Sequence, residues 1–143
     1  MALNTAPIYS GVGDIQWGTA ALVGSNPSYE ASGSNAITIF TASASGSFVQ
    51  RIRFKASGST TATVARIFIG NANTPSTGSN VALFDEITLP ATTGIQTAAT
   101  AVYEIPVNAA LPANYKIIAT VATAQVAGGG WYASAVGGSY TTP

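Results

Sequence analysis

The sequence predicts an all-β fold, an antiparallel sandwich built as one domain, and three observations predict it. Short apolar runs alternate residue by residue, clusters of Gly, Ser, Asn and Pro separate them, and no competing helical run interrupts the series. The length of 143 residues suits one hydrophobic core better than two.

Eight runs follow one another: 17 to 23, 36 to 41, 48 to 56, 61 to 70, 81 to 89, 99 to 107, 115 to 123 and 131 to 137. The first two are short and set off by the Gly/Ser/Asn/Pro clusters around them. The third alternates most clearly. Phe48, Ile52, Phe54 and Ala56 fall on one face, while Val49, Arg51, Arg53 and Lys55 fall on the other. Ser57-Gly58-Ser59 separates it from the fourth run, and Asn71-Ala72-Asn73-Thr74-Pro75 with Gly78-Ser79-Asn80 closes the fourth. In the fifth run Asp85 shares the parity of Val81, Leu83, Ile87 and Leu89, a conflict that a β-bulge near Asp85-Glu86 would repair.

The sixth run sets Tyr103, Ile105 and Val107 against Val102, Glu104 and Pro106, and the seventh sets Tyr115, Ile117, Ala119 and Val121 against Lys116, Ile118 and Thr120. Both are expected to be half-buried. Pro106 has no N–H for a strand ladder, which places it at an edge or a bulge, and above all near the end of its strand. Gly128-Gly129-Gly130 introduces the eighth run. Residues 1 to 16, with Pro7, Gly11 and Gly13 and no sustained period, read as an extended N-terminal arm, leaving 17 to 143 as the sandwich domain. Eight strands without helices admit a jelly roll, an immunoglobulin-like sandwich or an up-and-down barrel. Two Greek keys use eight strands, so the eight-stranded jelly-roll-like sandwich is preferred.

Composition narrows the function. The chain has no His and no Cys, five basic and five acidic side chains, and a formal net charge of zero. Nucleophilic triads, thiol chemistry and His/Cys zinc sites are therefore excluded, no cofactor is implied, and no disulfide staples the fold. Only 7% of residues are charged, against about 25% in a typical soluble domain. Ser and Thr hydroxyls must wet such a surface, and association with copies or partners is the expected outcome. No stretch approaches the roughly 20 uninterrupted apolar residues of a membrane-spanning helix. The N-terminus lacks a basic, then apolar, signal-peptide pattern, so cytoplasmic synthesis is expected.

The last third, from Val102-Tyr103-Glu104-Ile105-Pro106-Val107 through Leu111-Pro112-Ala113-Asn114-Tyr115-Lys116-Ile117 to Gly129-Gly130-Trp131 and Ala135-Val136-Gly137-Gly138-Ser139-Tyr140, resembles small structural proteins of tailed bacteriophages, capsid decoration or cement proteins among them. The resemblance extends more loosely back to Phe48. It implies a jelly-roll protein, often trimeric, on the capsid exterior, clamping the major capsid protein and stabilising the shell. The expected location is the virion, after synthesis in the host bacterial cytoplasm, and a tail or head-fibre role is also permitted.

Arg51, Arg53 and Lys55 put three of the five cations on one strand face at about 7 Å spacing. Such a row suits an acidic protein patch. It is too sparse for more than weak, salt-sensitive binding of nucleic acid, so no specific nucleic acid is expected. With Pro7, Ile8 and Tyr9 of the arm, and with Tyr132 and Tyr140 as exposed anchors, these cations are the candidate protein interface. Trp17 and Trp131, in the first and last strands, are expected to pack on each other. Trp17, Tyr29, Trp131, Tyr132 and Tyr140 could instead stack on sugars, which keeps a carbohydrate-binding module of a phage tail or fibre as the alternative.

The carboxylates Asp14, Glu30, Asp85, Glu86 and Glu104 are the remaining candidates for acid/base or calcium chemistry. Adjacent Asp85 and Glu86 point to opposite faces of a strand and cannot face each other, whereas Glu104 could meet either across strands. Gly11-Val12-Gly13 has Gln16 where a dinucleotide fingerprint needs glycine, and Gly128-Gly129-Gly130 lacks the Lys and Ser/Thr of a phosphate loop. Pro27 blocks the Asn26-Pro27-Ser28 triplet as a glycosylation site. A non-enzymatic protein that acts through contact surface is the expectation.

Overall fold

The structure is a computed structural model that describes residues 10–31, 33–71 and 80–141. The described residues form eight strands and no helix: β1 (Ser10–Trp17), β2 (Ile37–Thr41), β3 (Ser47–Ala56), β4 (Thr63–Gly70), β5 (Val81–Leu89), β6 (Val102–Leu111), β7 (Lys116–Val121) and β8 (Trp131–Tyr140). All pairings between these strands are antiparallel, and they nest: β1 with β8, β2 with β7, β3 with β6, β4 with β5. The chain is one long hairpin wound over on itself. The further pairings of β3 with β8 and β4 with β7 join the nested pairs into two four-stranded sheets. Sheet A runs β1-β8-β3-β6 and sheet B runs β2-β7-β4-β5. Every connection except β4 to β5 crosses from one sheet to the other, the jelly-roll-like arrangement.

Between the sheets lies a single core. Sheet A contributes Val49, Ile52, Phe54, Ile105, Val107, Leu111, Trp131, Ala133 and Ala135, and sheet B contributes Ile39, Ala65, Ile67, Leu89, Ile117, Ala119 and Val121. Each fully buried Phe, Leu or Ile contributes about 1.5–3 kcal/mol relative to exposure, and with no disulfide this burial carries the fold. Trp131, the first residue of β8, is fully buried, its ring edge-on to Tyr103 with centroids 5.7 Å apart.

Several expectations are corrected. The first strand is Ser10–Trp17, not 17 to 23, so residues 10 to 16 pair with β8 instead of extending as an arm. Its periodicity is weak in the sequence because two glycines interrupt it and its apolar side chains face water. Trp17 is therefore not packed on Trp131: β1 and β8 are neighbours, but Trp17 lies opposite Ser134 on the outer face. In β3 a bulge between Val49 and Arg51 reverses the parity, so Val49 enters the core and Phe48 turns partly outward. Gly137 of β8 accommodates that bulge, because a Cβ there would lie 2.1 Å from the Phe48 carbonyl oxygen.

Pro106 is mid-strand rather than near an end. It is tolerated because β6 is the edge of sheet A, and a register irregularity follows it, with Asn108 at φ 46°. The alternation of β6 holds: Ile105 and Val107 are buried, and Val102, Glu104 and Pro106 are exposed. The expected bulge of β5 falls at Phe84, beside Asp85.

β7 is not half-buried. Ile117, Ile118, Ala119, Thr120 and Val121 are all buried because the connection from β1 to β2 crosses the outer face of sheet B. Asn26 N–H donates to the Val121 carbonyl at 2.7 Å, and Ala31 packs with Phe68 and Ile118 in a second apolar cluster outside the sandwich. Arg66 pins this cover: its Nε donates to Glu86 at 2.8 Å, Nη1 donates to the Asn26 carbonyl at 3.3 Å, and the Tyr29 ring lies 4.1 Å from the guanidinium carbon. Burial disfavours the charge of Arg66, but the Glu86 hydrogen bond and the Tyr29 contacts outweigh it and hold the guanidinium above its ordinary range.

Candidate functional site

Among the described residues, the outer face of sheet A has no such cover. In an antiparallel sheet, directly opposed residues point to the same side, so the register fixes what this face presents. One row reads Trp17, Ser134, Arg53, Glu104 from β1 to β6; the next reads Ile15, Val136, Arg51, Pro106; a third reads Tyr132, Lys55, Val102 from β8 to β6. With strands about 4.8 Å apart, these rows make one continuous surface. Its β1/β8 half is apolar and its β3/β6 half is charged.

The apolar half lies open to water. Trp17 is 68% exposed, Ile15 61% and Tyr132 51%. Leaving such side chains uncovered forfeits burial energy of the order of 1.5–3 kcal/mol each. In the charged half, Glu104 receives Arg53 Nε at 2.9 Å and Arg51 Nε at 3.4 Å. These partly exposed pairs contribute about 0–1 kcal/mol each, so they position the cations more than they stabilise the fold. Arg51 Nη1 also donates to Gln50, and Lys55 Nζ donates to the Thr100 carbonyl. Three cations against one carboxylate leave the face positive. Arg53, Lys55, Val102, Tyr132 and Ser134 line a shallow depression in it, and Ile15, Gln16 and Trp17 line another beside β1.

The structure thus brings Arg51, Arg53, Lys55 and Tyr132 together. Tyr140 lies apart, partly buried at the end of β8, where its N–H donates to the Gly46 carbonyl. Pro7, Ile8 and Tyr9 lie outside the described residues. Trp17, a candidate for sugar stacking but not for the protein interface, belongs to the face, as do Ile15 and Val102, which the sequence does not single out. The signal for β1 was present in the alternation of Gly13, Ile15 and Trp17 with Asp14 and Gln16.

Gln16 has a structural part of its own. Its side chain points inward and grips the edge of sheet B, donating Nε2 to the Thr41 carbonyl and accepting the Thr41 N–H, both at 2.9 Å. That double hydrogen bond covers part of an edge strand that would otherwise offer free backbone groups.

The carboxylates do not converge. Asp14 accepts from Gln16 and Ser139, Glu86 lies on the outer face of sheet B with Arg66, and Glu104 lies on the outer face of sheet A, so Glu104 and Glu86 point away from each other. Asp85 opposes Ile67 on the other side of its strand from Glu86. Among the described residues, no three of His, Cys, Asp and Glu gather as a metal-binding group, and no helix is long and apolar enough to cross a membrane.

No protein-family model matches the chain, and no curated protein matches it. Among solved structures, a chain of the capsid asymmetric unit of cyanophage Pam1 is similar at 16% identity and a TM-score of 0.39, over 99% of this chain and 94% of that one. So slight a likeness leaves the function to be read from the surface of this chain itself.

Proposed function

We propose that this protein is a structural component of a phage virion, a decoration or cement protein that binds the major capsid protein and stabilises the shell from outside. The observation that carries the reading is the bare outer face of sheet A, where Trp17, Ile15 and Tyr132 stand exposed beside Arg51, Arg53 and Lys55 on a chain with only 7% charged residues. A neutral surface with exposed aromatics and a small cationic row suits burial against protein, because aromatic and Arg side chains anchor interfaces. The phage-like phrasing of residues 102 to 140 agrees with it. The work is mechanical: many modest contacts repeat over a lattice, and their multiplicity supplies the strength. A homotrimer on the capsid surface, with Pro7, Ile8 and Tyr9 reaching the shell, is the form proposed.

Mass spectrometry and cryo-microscopy of purified virions test the reading. The chain should be found at regular sites on the head, and heads prepared without it should break open at lower temperature or lower ionic strength. Heads that contain none of it, or that are equally robust without it, would refute the role. A second reading rests on Trp17 and Tyr132, which stand diagonally across β1 and β8 on either side of Ser134, about 7–8 Å apart. Two exposed rings at that spacing suit stacking on a glycan, as a tail or fibre module would require, and binding on a glycan array lost in Trp17→Ala would favour it.

A further inference from the structure

All five cationic and five carboxylate side chains lie among the described residues, and they are not evenly spread. The outer face of sheet A holds Arg51, Arg53 and Lys55 against Glu104. On the outer face and β5 edge of sheet B, Glu30, Asp85 and Glu86 stand against Arg66 and Lys116. Glu30 follows Tyr29, whose ring lies on Arg66, and Asp85 has no cationic partner among the described residues, its Oδ1 accepting the Glu86 N–H at 2.8 Å. One surface carries a surplus of two positive charges and the other a surplus of one negative charge, concentrated at β5 where Asp85 and Glu86 adjoin. Net neutrality conceals a charge dipole.

Each pole also exposes apolar side chains. At the positive pole these are Trp17, Tyr132 and Val102; at the negative pole they are Leu83 and Phe84, the latter pushed out by the β5 bulge. β5 is the edge strand of sheet B, and most of its residues are exposed. An edge so uncovered, with neither Lys nor Pro along it, invites a partner.

We infer that the chain assembles with itself head to tail, the β5 rim of one copy, with Leu83, Phe84 and Asp85, seating on the depression of the next copy lined by Arg53, Lys55, Val102 and Tyr132, which leaves the β1 part of the face, with Ile15 and Trp17, for the shell. The inference rests on the reading of the chain as an assembly protein and names the surfaces it uses. A second copy fits because one chain carries both halves of the match, opposite in sign, and because opposed charges both steer and orient such contacts. The contact is heterologous, so every copy gives one patch and receives the other. β5 packs near β6, the last strand of the cationic face. The two patches therefore adjoin around one side of the sandwich instead of lying back to back, and successive copies turn about an axis. A closed ring of few copies, such as a trimer, satisfies both patches on every copy.

Native mass spectrometry and light scattering of the purified chain test this through a reciprocal charge exchange. The unaltered protein should form one defined oligomer that loosens toward 1 M salt, where screening shortens to about 3 Å. Lys55→Glu alone and Asp85→Lys alone should each weaken association roughly tenfold or more, and the chain carrying both should recover it. Lys55→Gln and Asp85→Asn, which introduce no repulsion, should weaken it less, and circular dichroism should show all variants folded. A wild-type monomer at every concentration, an oligomer indifferent to both single reversals, or a double reversal that fails to recover would each overturn the inference. A monomer that still occupies purified heads would overturn it while leaving the virion role standing, and an oligomer missing from heads would do the reverse.

Discussion

The two outer faces of the sandwich are treated in opposite ways. Over sheet B, the connection between β1 and β2 lays Ala31 on Phe68 and Ile118, and Arg66, only 6% exposed, ties that segment down through Asn26, Tyr29 and Glu86. Over sheet A nothing from the described chain is laid, and Trp17, Ile15 and Tyr132 remain in water. The described residues cover one sheet with a loop and leave the other open. The difference teaches where to look for a partner: the middle of sheet B is covered by the chain's own connection, whereas the outer face of sheet A is left uncovered by the described residues.

The covered side should be the sensitive one for stability. Phe68→Ala should cost the most, about 3–5 kcal/mol by denaturant unfolding, because it empties the cluster beneath the cover. A loss below about 1 kcal/mol would show that the cover is loosely packed and the contrast overstated. Arg66→Met should cost about 2 kcal/mol and speed proteolysis between residues 24 and 35, since it removes charge-assisted bonds to Glu86 and Asn26. A folded-state pKa raised above the unfolded value supplies stability that is fully present below the unfolded pKa and lost only as pH rises through the folded one. For Arg66 both lie above the range of ordinary handling, so the destabilisation by Arg66→Met should be the same at pH 7 and pH 9, to within about 0.5 kcal/mol.

Smaller effects probe the boundary between the two faces. Gln16→Ala should cost about 1 kcal/mol through the lost ties to Thr41, read as a lower melting temperature. Trp17→Ser should move stability by no more than about 0.5 kcal/mol, because its ring packs on little, yet it should lower occupancy on purified heads. A strongly destabilised Trp17→Ser would mean that the ring is part of the fold and that the open face is less open than it looks.

Much of the architecture was legible in the sequence because most strands obey a two-residue period between turn-forming clusters. Strands β3 to β8 fall close to the positions that alternation assigned, and the parity conflict at Asp85 located the bulge to within a residue. The failures share a cause. Strand β1 faces outward with its apolar residues, so buried alternation does not mark it and residues 10 to 16 read as an arm. The burial of both faces of β7 depends on the loop that crosses it, which no local period encodes. The parity switch at Val49 depends on the neighbouring backbone of β8, where Gly137 makes room. For the site, the cationic row was readable from β3 alone, whereas Trp17 and Val102 joined it only through the order of strands in sheet A. Tyr140 was misplaced for the same reason, since its distance along β8 from Tyr132 was invisible without the register.

The central claim is that the outer face of sheet A is a contact surface, covered in the assembled particle. Hydroxyl-radical footprinting of the isolated chain at high dilution and of intact virions, read residue by residue by mass spectrometry, tests it directly. Trp17 and Tyr132 should be heavily oxidised in the dilute chain and protected in the particle, with Trp131 protected in both. Equal oxidation of Trp17 and Tyr132 in the two states would contradict the claim.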